Sequence, residues 1–301
     1  MINGILSGFF WGADTSLIGF YFSSLNPYIS ELLIFPLFIT YIHDTISAIA
    51  VNIAILWSQK YHIVRKDIVK LNSFYIWMGA FLGGPVGMCS YVASVYFIGP
   101  SLTAIISSLY PAMGFLWAYL FLKEKRAFYQ IAALFIAIIL SVILGFTSDT
   151  REFSINSGII FSFICICAWG SEAVLCSYGM KKGRISNLSA VCIRQTLSMI
   201  TYSLIFGLAY IFSNTISNLP VKTDNIYICI SALSGTVSYY FYYKSIFKVG
   251  PSRAMALNIS YSGFSIIFSY FLFGEALTIT QIILGAFIVL SGVISAYDFK
   301  T

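Results

Sequence analysis

The sequence predicts an all-α polytopic membrane protein, with ten transmembrane helices arranged as two inverted five-helix repeats, residues 1–150 and 151–301. Three observations predict it. Of the 301 residues, 59% are hydrophobic and 18% aromatic but only 9% are charged, a balance that cannot be wrapped around a soluble core. Separated landmarks recur at one displacement: Gly99-Pro100 reappears as Gly250-Pro251, 151 residues on, and the same step carries Thr45, Gly84, Tyr91, Tyr110, Tyr119 and Glu124 onto Thr196, Gly235, Tyr242, Tyr261, Tyr270 and Glu275. Lys and Arg, finally, cluster in alternate connections.

A membrane span needs about 20 mostly apolar residues. The first repeat offers 2–22, 31–57, 73–97, 101–122 and 127–146; the second offers 155–178, 187–213, 225–247, 252–273 and 277–297. Span one starts at the initiator Met without a basic leader or small-residue cleavage site, so it is expected to be retained rather than removed as a signal peptide. It carries Trp11-Gly12-Ala13-Asp14, which returns 158 residues later in span six as Trp169-Gly170-Ser171-Glu172. Span two holds Pro36 and His43-Asp44, and its counterpart, span seven, holds Arg194-Gln195 at the same register. Gly83-Gly84-Pro85 is expected to interrupt span three, and Pro111 span four. Span eight carries the run Tyr239 to Tyr243 followed by Lys244; span nine follows Gly250-Pro251 and contains Asn258 and Tyr261. Spans five and ten are apolar throughout, with Gly285 and Gly292 in the last suited to close helix packing.

Cytoplasmic loops carry the excess of Lys and Arg. With the N-terminus inside, thirteen of these residues, from Lys60 to Lys300, fall on the cytoplasmic side and only Arg151 and Lys222 outside, so both termini are expected to be cytoplasmic. An odd number of spans per repeat then inverts one half relative to the other. The net charge of +6 is this basic face and calls for no nucleic acid. All six cysteines fall inside spans without zinc-like spacing, and are expected to be free thiols rather than disulfide or metal ligands.

Six ionisable residues remain at membrane depth: Asp14, His43, Asp44, Glu172, Arg194 and Lys244. Each needs a partner or a wet cavity. They read either as an internal polar network, pairing Asp14 or Asp44 with Arg194 or Lys244, or as a proton-coupling and substrate site. The acid beside a tryptophan is the repeated feature, and an acid kept at that depth suits a cationic cargo. Trp11, Trp169, Tyr110 and Tyr261 occupy mirrored positions, and Tyr239 falls on one helical face with Tyr242 and Tyr243. Rings turned inward around an acid would cage a quaternary ammonium by cation–π attraction, about 2 kcal/mol or more when desolvated. Trp57 and Trp77 lie near span ends and read as interfacial anchors.

Ten helices in two inverted repeats, with Gly-Pro before the fourth helix of each, resemble the drug/metabolite transporter superfamily of the EamA type. Within it, Ala168 to Leu175, Ile42-His43-Asp44, Gly84 to Met88, Leu109 to Ala112 and Leu257 to Tyr261 are similar to the bacterial LicB-type choline transporters. The resemblance implies choline import across the inner membrane of a bacterium by alternating access, with no cofactor. It would place Trp11, Tyr110, Trp169, Glu172, Tyr239, Tyr243 and Tyr261 around the ammonium head, with Tyr242 and Asn258 next. Asp14 and Lys244 stand where that family's pattern has uncharged residues. A cationic substrate is drawn inward by an interior-negative potential, so proton coupling is optional; Glu172 or His43 would be its relay. The alternative is export of amino acids or other amphipathic metabolites, with Lys244 or Arg194 binding a carboxylate. An enzyme built on His43-Asp44 is not expected, because no nucleophile, metal set or phosphate loop accompanies the pair.

Overall fold

The computed structural model describes residues 1–24, 34–146, 155–212, 226–274 and 278–297, and among them helix is the only regular structure. Arg151, Lys222, Glu275 and Lys300, used above for orientation or register, lie outside the described residues. Six stretches are long and apolar enough to cross a membrane: Ile34–Trp57, Ser73–Gly99, Ser157–Gly183, Asn187–Leu208, Pro251–Phe273 and Ile279–Ala296. Tyr110–Leu122 and Phe128–Ile143 are shorter apolar helices.

In chain order the helices are α1 (Ile2–Ser23), α2 (Ile34–Trp57), α3 (Tyr61–Ile68), α4 (Ser73–Phe81), α5 (Cys89–Ser107), α6 (Tyr110–Leu122) and α7 (Phe128–Phe146). They continue with α8 (Ile155–Gly183), α9 (Asn187–Phe212), α10 (Ile226–Val249), α11 (Pro251–Asn258), α12 (Tyr261–Phe273) and α13 (Ile279–Ala296). Helix α3 was not expected; it is a short basic-apolar turn in the connection after α2.

The helix breakers meet expectation only in part. Leu82–Met88, with Pro85 inside, does not interrupt the third span but joins α4 to α5 as a π-helical turn. Proline removes one N–H, and the wider turn lets the backbone pass that gap without ending the helix. Pro36 lies near the start of the described part of α2 without interrupting it, whereas Pro111 does mark a break in span four: α5 stops at Ser107 and α6 restarts at Tyr110, with Pro111 in its first turn, where a missing N–H costs nothing. Two further breaks fall at Gly99 (φ 77°, ψ 165°) and Gly250 (φ 89°, ψ 162°), a backbone conformation that only glycine adopts without strain.

From there the backbone repeats at the displacement of 151. Helices α6 and α12 each have thirteen residues, beginning at Tyr110 and Tyr261. Their left-handed C-caps are Lys123 (φ 54°) and Gly274 (φ 69°). Packing repeats too. Helix α1 lies against α10 and α12, and its Gly12 faces Tyr261 and Ser265 so closely that a Cβ would meet the Ser265 nitrogen at 2.8 Å. Helix α8 lies against α4, α5 and α6, and a Cβ on its Gly170 would meet the Gly114 nitrogen at 2.9 Å. Small residues at the crossings are what let helix backbones approach in lipid, where apolar surface alone gives little attraction. Most large buried side chains, including Trp11, Tyr91, Tyr110, Trp169 and Tyr239, form one core cluster between these helices.

Candidate functional site

Where α1, α6, α8, α10 and α11 meet there is a small cavity of about 20 Å³, room for about one water. Its wall is Ser7, Trp11, Tyr110, Trp169, Glu172, Ser238, Tyr239, Tyr242 and Asn258. Each is there for a local reason. Ser7 lies one helical turn before Trp11 and Ser238 one turn before Tyr242, so both share the inward face of their helix. Tyr110 opens α6 and Asn258 closes α11, at the breaks where the chain leaves its helical path.

The rings meet edge to face, the preferred geometry for opposed quadrupoles. Trp11 stands at 5.2 Å and 82° to Trp169 and at 5.2 Å and 68° to Tyr239, while Tyr110 meets Trp169 at 5.8 Å and 84°. Tyr91, absent from the expected set, backs the two indoles at 5.6 and 4.9 Å. Its counterpart at the 151 displacement is Tyr242 on the cavity wall, a register that could have drawn attention to it. Ser7 and Ser238 were also missed, although their turn-spacing from Trp11 and Tyr242 is readable.

Glu172 is not an open carboxylate. It is 2% exposed, and its Oε1 accepts from Arg194 Nε at 3.2 Å and from the Tyr243 hydroxyl at 2.5 Å. Arg194, fully buried, spends its remaining donors on the Gly83 carbonyl (2.9 Å), the Gln195 side chain and the Tyr239 hydroxyl. Its guanidinium carbon sits 3.6 Å from the Tyr239 ring centre. Such a buried pair is held only when every donor is matched, because either charge alone would be uncompensated in low dielectric. The π-helical turn supplies the match: Gly83 O takes Arg194 and, at 3.2 Å, the Trp169 indole N–H. Gly83 also makes room for the acid, since a Cβ there would overlap the Glu172 carboxylate.

The other expected polar residues form a second cluster. His43 Nε2 lies 3.2 Å from Asp14 Oδ1 and its Nδ1 3.0 Å from Asp44 Oδ1, all three fully buried. Ser231 donates to Asp14 Oδ1 and Ser198 to Asp44 Oδ2. The expected pairing of Asp14 or Asp44 with Arg194 or Lys244 is therefore corrected: Asp14 and Asp44 share His43, and Glu172 takes Arg194. Lys244 is half-buried, 5.3 Å from the Tyr240 ring and away from the cavity wall. Tyr243 sits behind Glu172 rather than on the wall. Tyr261 is also off it, with its hydroxyl donating to Ala104 O at 3.0 Å and sharing a 2.6 Å bond with Ser107. The six cysteines are free thiols in helices, and no group of His, Cys, Asp and Glu among the described residues could hold a metal ion.

The comparisons agree with this architecture. The sequence profile of the EamA-like transporter family matches residues 1–146 and again 156–297. Protein LicB of Haemophilus influenzae is 32% identical over 303 aligned positions, covering 99% of this chain and 97% of that protein. A solved crystal structure shares the fold with a TM-score of 0.72 at 15% identity, over 97% of this chain and 94% of that one. A helical membrane body with an enclosed polar site, matched by one family along both stretches of its length, belongs to the EamA-like transporter family.

Proposed function

We propose that this protein is a secondary transporter that imports choline or a related quaternary ammonium compound across a bacterial inner membrane by alternating access. The observation that carries the reading is the cavity itself: five aromatic side chains and one carboxylate share a single buried wall. Cation–π attraction needs no hydrogen-bond donor on the substrate, which suits a methylated ammonium that has none at its head. The likeness to Protein LicB supports the same reading.

In this reading the helices form ten spans that act as two inverted five-helix repeats, 1–150 and 151–301, around the cavity, with both termini cytoplasmic. Arg194 stands where a cationic cargo would stand, against Glu172 and over the Tyr239 face. A cavity of about 20 Å³ cannot hold a trimethylammonium group, so loading opens the rings and moves the guanidinium aside. The cargo's own charge supplies the driving force, about 2.3 kcal/mol per charge per 100 mV. Coupling to protons is not required by this scheme, and the His43 cluster is where it would reside.

Export of amino acids is less well supported. Each guanidinium nitrogen of Arg194 already has a partner and Lys244 is not on the wall, so no unpaired cation among the described residues faces the cavity to take a substrate carboxylate. Radiolabelled choline uptake into proteoliposomes, with and without an imposed pH gradient, tests the proposal. Uptake driven by membrane potential and lost in Glu172→Gln supports it; an aromatic amino acid that raises Tm where choline does not would replace it with export.

A further inference from the structure

At the basic end of the bundle, away from the substrate cavity, a second and larger hollow of about 660 Å³ opens between the α2–α4 connection and the α8–α9 connection. Its walls carry His62, Lys66, Lys70, Lys181 and Arg184, against a single acid, Asp67. That acid is fully engaged in holding the two connections together. Its Oδ2 accepts the Ser186 N–H at 3.0 Å and the Ser189 hydroxyl at 2.7 Å, and its Oδ1 accepts Lys70 Nζ at 2.6 Å. Lys70 also donates to Arg184 O at 2.8 Å, closing the frame.

Asp67 is therefore spoken for by Lys70 and by the start of α9, and Lys66, Lys181 and Arg184 form no ion pair among the described residues. Three fixed positive charges line one hollow, and none of them has an acidic partner among the described residues. Beside them the same connection turns apolar side chains outward: Trp57 is 88% and Leu71 90% exposed, with Tyr61 and Val69 also open. Trp and Tyr at the end of a membrane span mark the headgroup level, and basic hollows at that level attract anionic headgroups.

We propose that this hollow binds a phosphate-bearing anion, and that its occupant is the headgroup of an anionic phospholipid from the surrounding leaflet. Phosphate oxygens would take Lys66, Lys181 and Arg184, while the acyl chains follow the Trp57, Tyr61 and Leu71 rim. Charge complementarity selects the phosphate, and the apolar rim selects a lipid over a soluble ion.

The test uses the full chain in phosphatidylcholine micelles titrated with phosphatidylglycerol, reading Tm and retained lipid by native mass spectrometry. Phosphatidylglycerol should raise Tm and remain bound. The triple variant K66Q/K181Q/R184Q, altered only at exposed side chains, should weaken apparent binding on the order of a hundredfold, from the attraction each basic group adds at a charged lipid surface. The control K123Q/K125Q, at another exposed basic site, should bind like the wild type. Inorganic phosphate is the second arm: if it alone produces the shift and displaces the lipid, the lipid occupant is overturned. Equal loss in both variants, or none in the triple variant, overturns the site.

Discussion

The two halves build the same device and set it in different surroundings. In the first, the acid of the Trp-Gly motif, Asp14, pairs with His43 of α2; in the second, Glu172 pairs with Arg194 of α9, and His43 and Arg194 are 151 residues apart in register. Each acid also presses on a bare glycine in the opposite half, Asp14 on Gly235 and Glu172 on Gly83. The surroundings differ. Asp14 and His43 are walled in by Asp44, Ser198 and Ser231, whereas Glu172 borders a cavity lined by rings. A duplicated ion pair can thus lie within a closed polar cluster in one half and border an aromatic-lined cavity in the other, depending on what surrounds it.

The comparison breaks most visibly on charge removal. Arg194→Met strands Glu172 and should lower stability by about 3–5 kcal/mol, seen as a large fall in Tm in detergent. Adding Glu172→Gln should recover most of that stability but not choline uptake. Asp14→Asn with His43→Gln, the matching double change in the first half, should leave choline affinity by calorimetry within about tenfold of wild type, the equivalent of about 1.4 kcal/mol. If both double variants lose choline binding alike, the two pairs do the same job and the contrast fails.

Next come the glycines. Gly83→Ala drives a methyl into the Glu172 carboxylate and should cost about 1–3 kcal/mol and most transport. Gly235→Ala, whose Cβ would meet Asp14 Oδ2 at 2.6 Å, should cost stability while sparing choline binding. Ligand titration and melting curves on the same samples separate the outcomes, and choline binding lost in Gly235→Ala but kept in Gly83→Ala would reverse the assignment.

The mirrored aromatics give smaller effects. Trp11→Leu removes a ring from the wall and should weaken choline binding by about 2–30-fold, the range of about 0.5–2 kcal/mol for a cation–π contact. Tyr261→Phe removes only bonds to Ser107 and Ala104, so Tm should fall by the equivalent of about 1 kcal/mol with unchanged affinity.

The smallest effect lies outside the membrane. Burial tends to raise the Asp67 carboxyl, but hydrogen bonds from Lys70, the Ser186 N–H and Ser189 outweigh it and hold its pKa below the ordinary value. A folded pKa below the unfolded one means that its stabilisation is complete above the usual carboxylate range, about 4, and fades as pH falls through the lower folded value. Asp67→Asn should flatten the acid limb of the Tm–pH curve; an unchanged limb would remove Asp67 from the fastening of α9.

Much of this was readable from residues. Apolar runs of membrane length located most of the helical stretches, though not α3 or the passage of α5 across the expected gap between spans three and four, and the 151 displacement put His43 over Arg194. Trp11, Tyr110, Trp169, Glu172, Tyr239, Tyr242 and Asn258 were all named as site candidates from mirrored positions or resemblance, and all line one cavity. The partners were not readable. Which cation reaches which acid depends on the rotation and tilt of α2 and α9, which apolar faces in lipid leave undetermined; hence Arg194 and Lys244 looked like partners for Asp14 and Asp44, and His43 was overlooked in that role. Gly83-Gly84-Pro85 signalled a weak point, but whether the backbone stops or widens there is settled by Arg194 and Trp169, donors 111 and 86 residues away that need its carbonyl.

The bonds at the helix breaks bear on the order of assembly. Asn258 donates to the Tyr110 hydroxyl at 2.9 Å, and the equivalent pair, Ser107 with Tyr261, spans the halves in the other direction. These partners are 148 and 154 residues apart, so a nascent chain inserts its early helices long before their hydroxyls can be matched. Apolar faces in a bilayer discriminate weakly among dockings. Late polar matching is then what selects one docking from many, and a chain stalled after its first half would sit in the bilayer as inserted but unsorted helices.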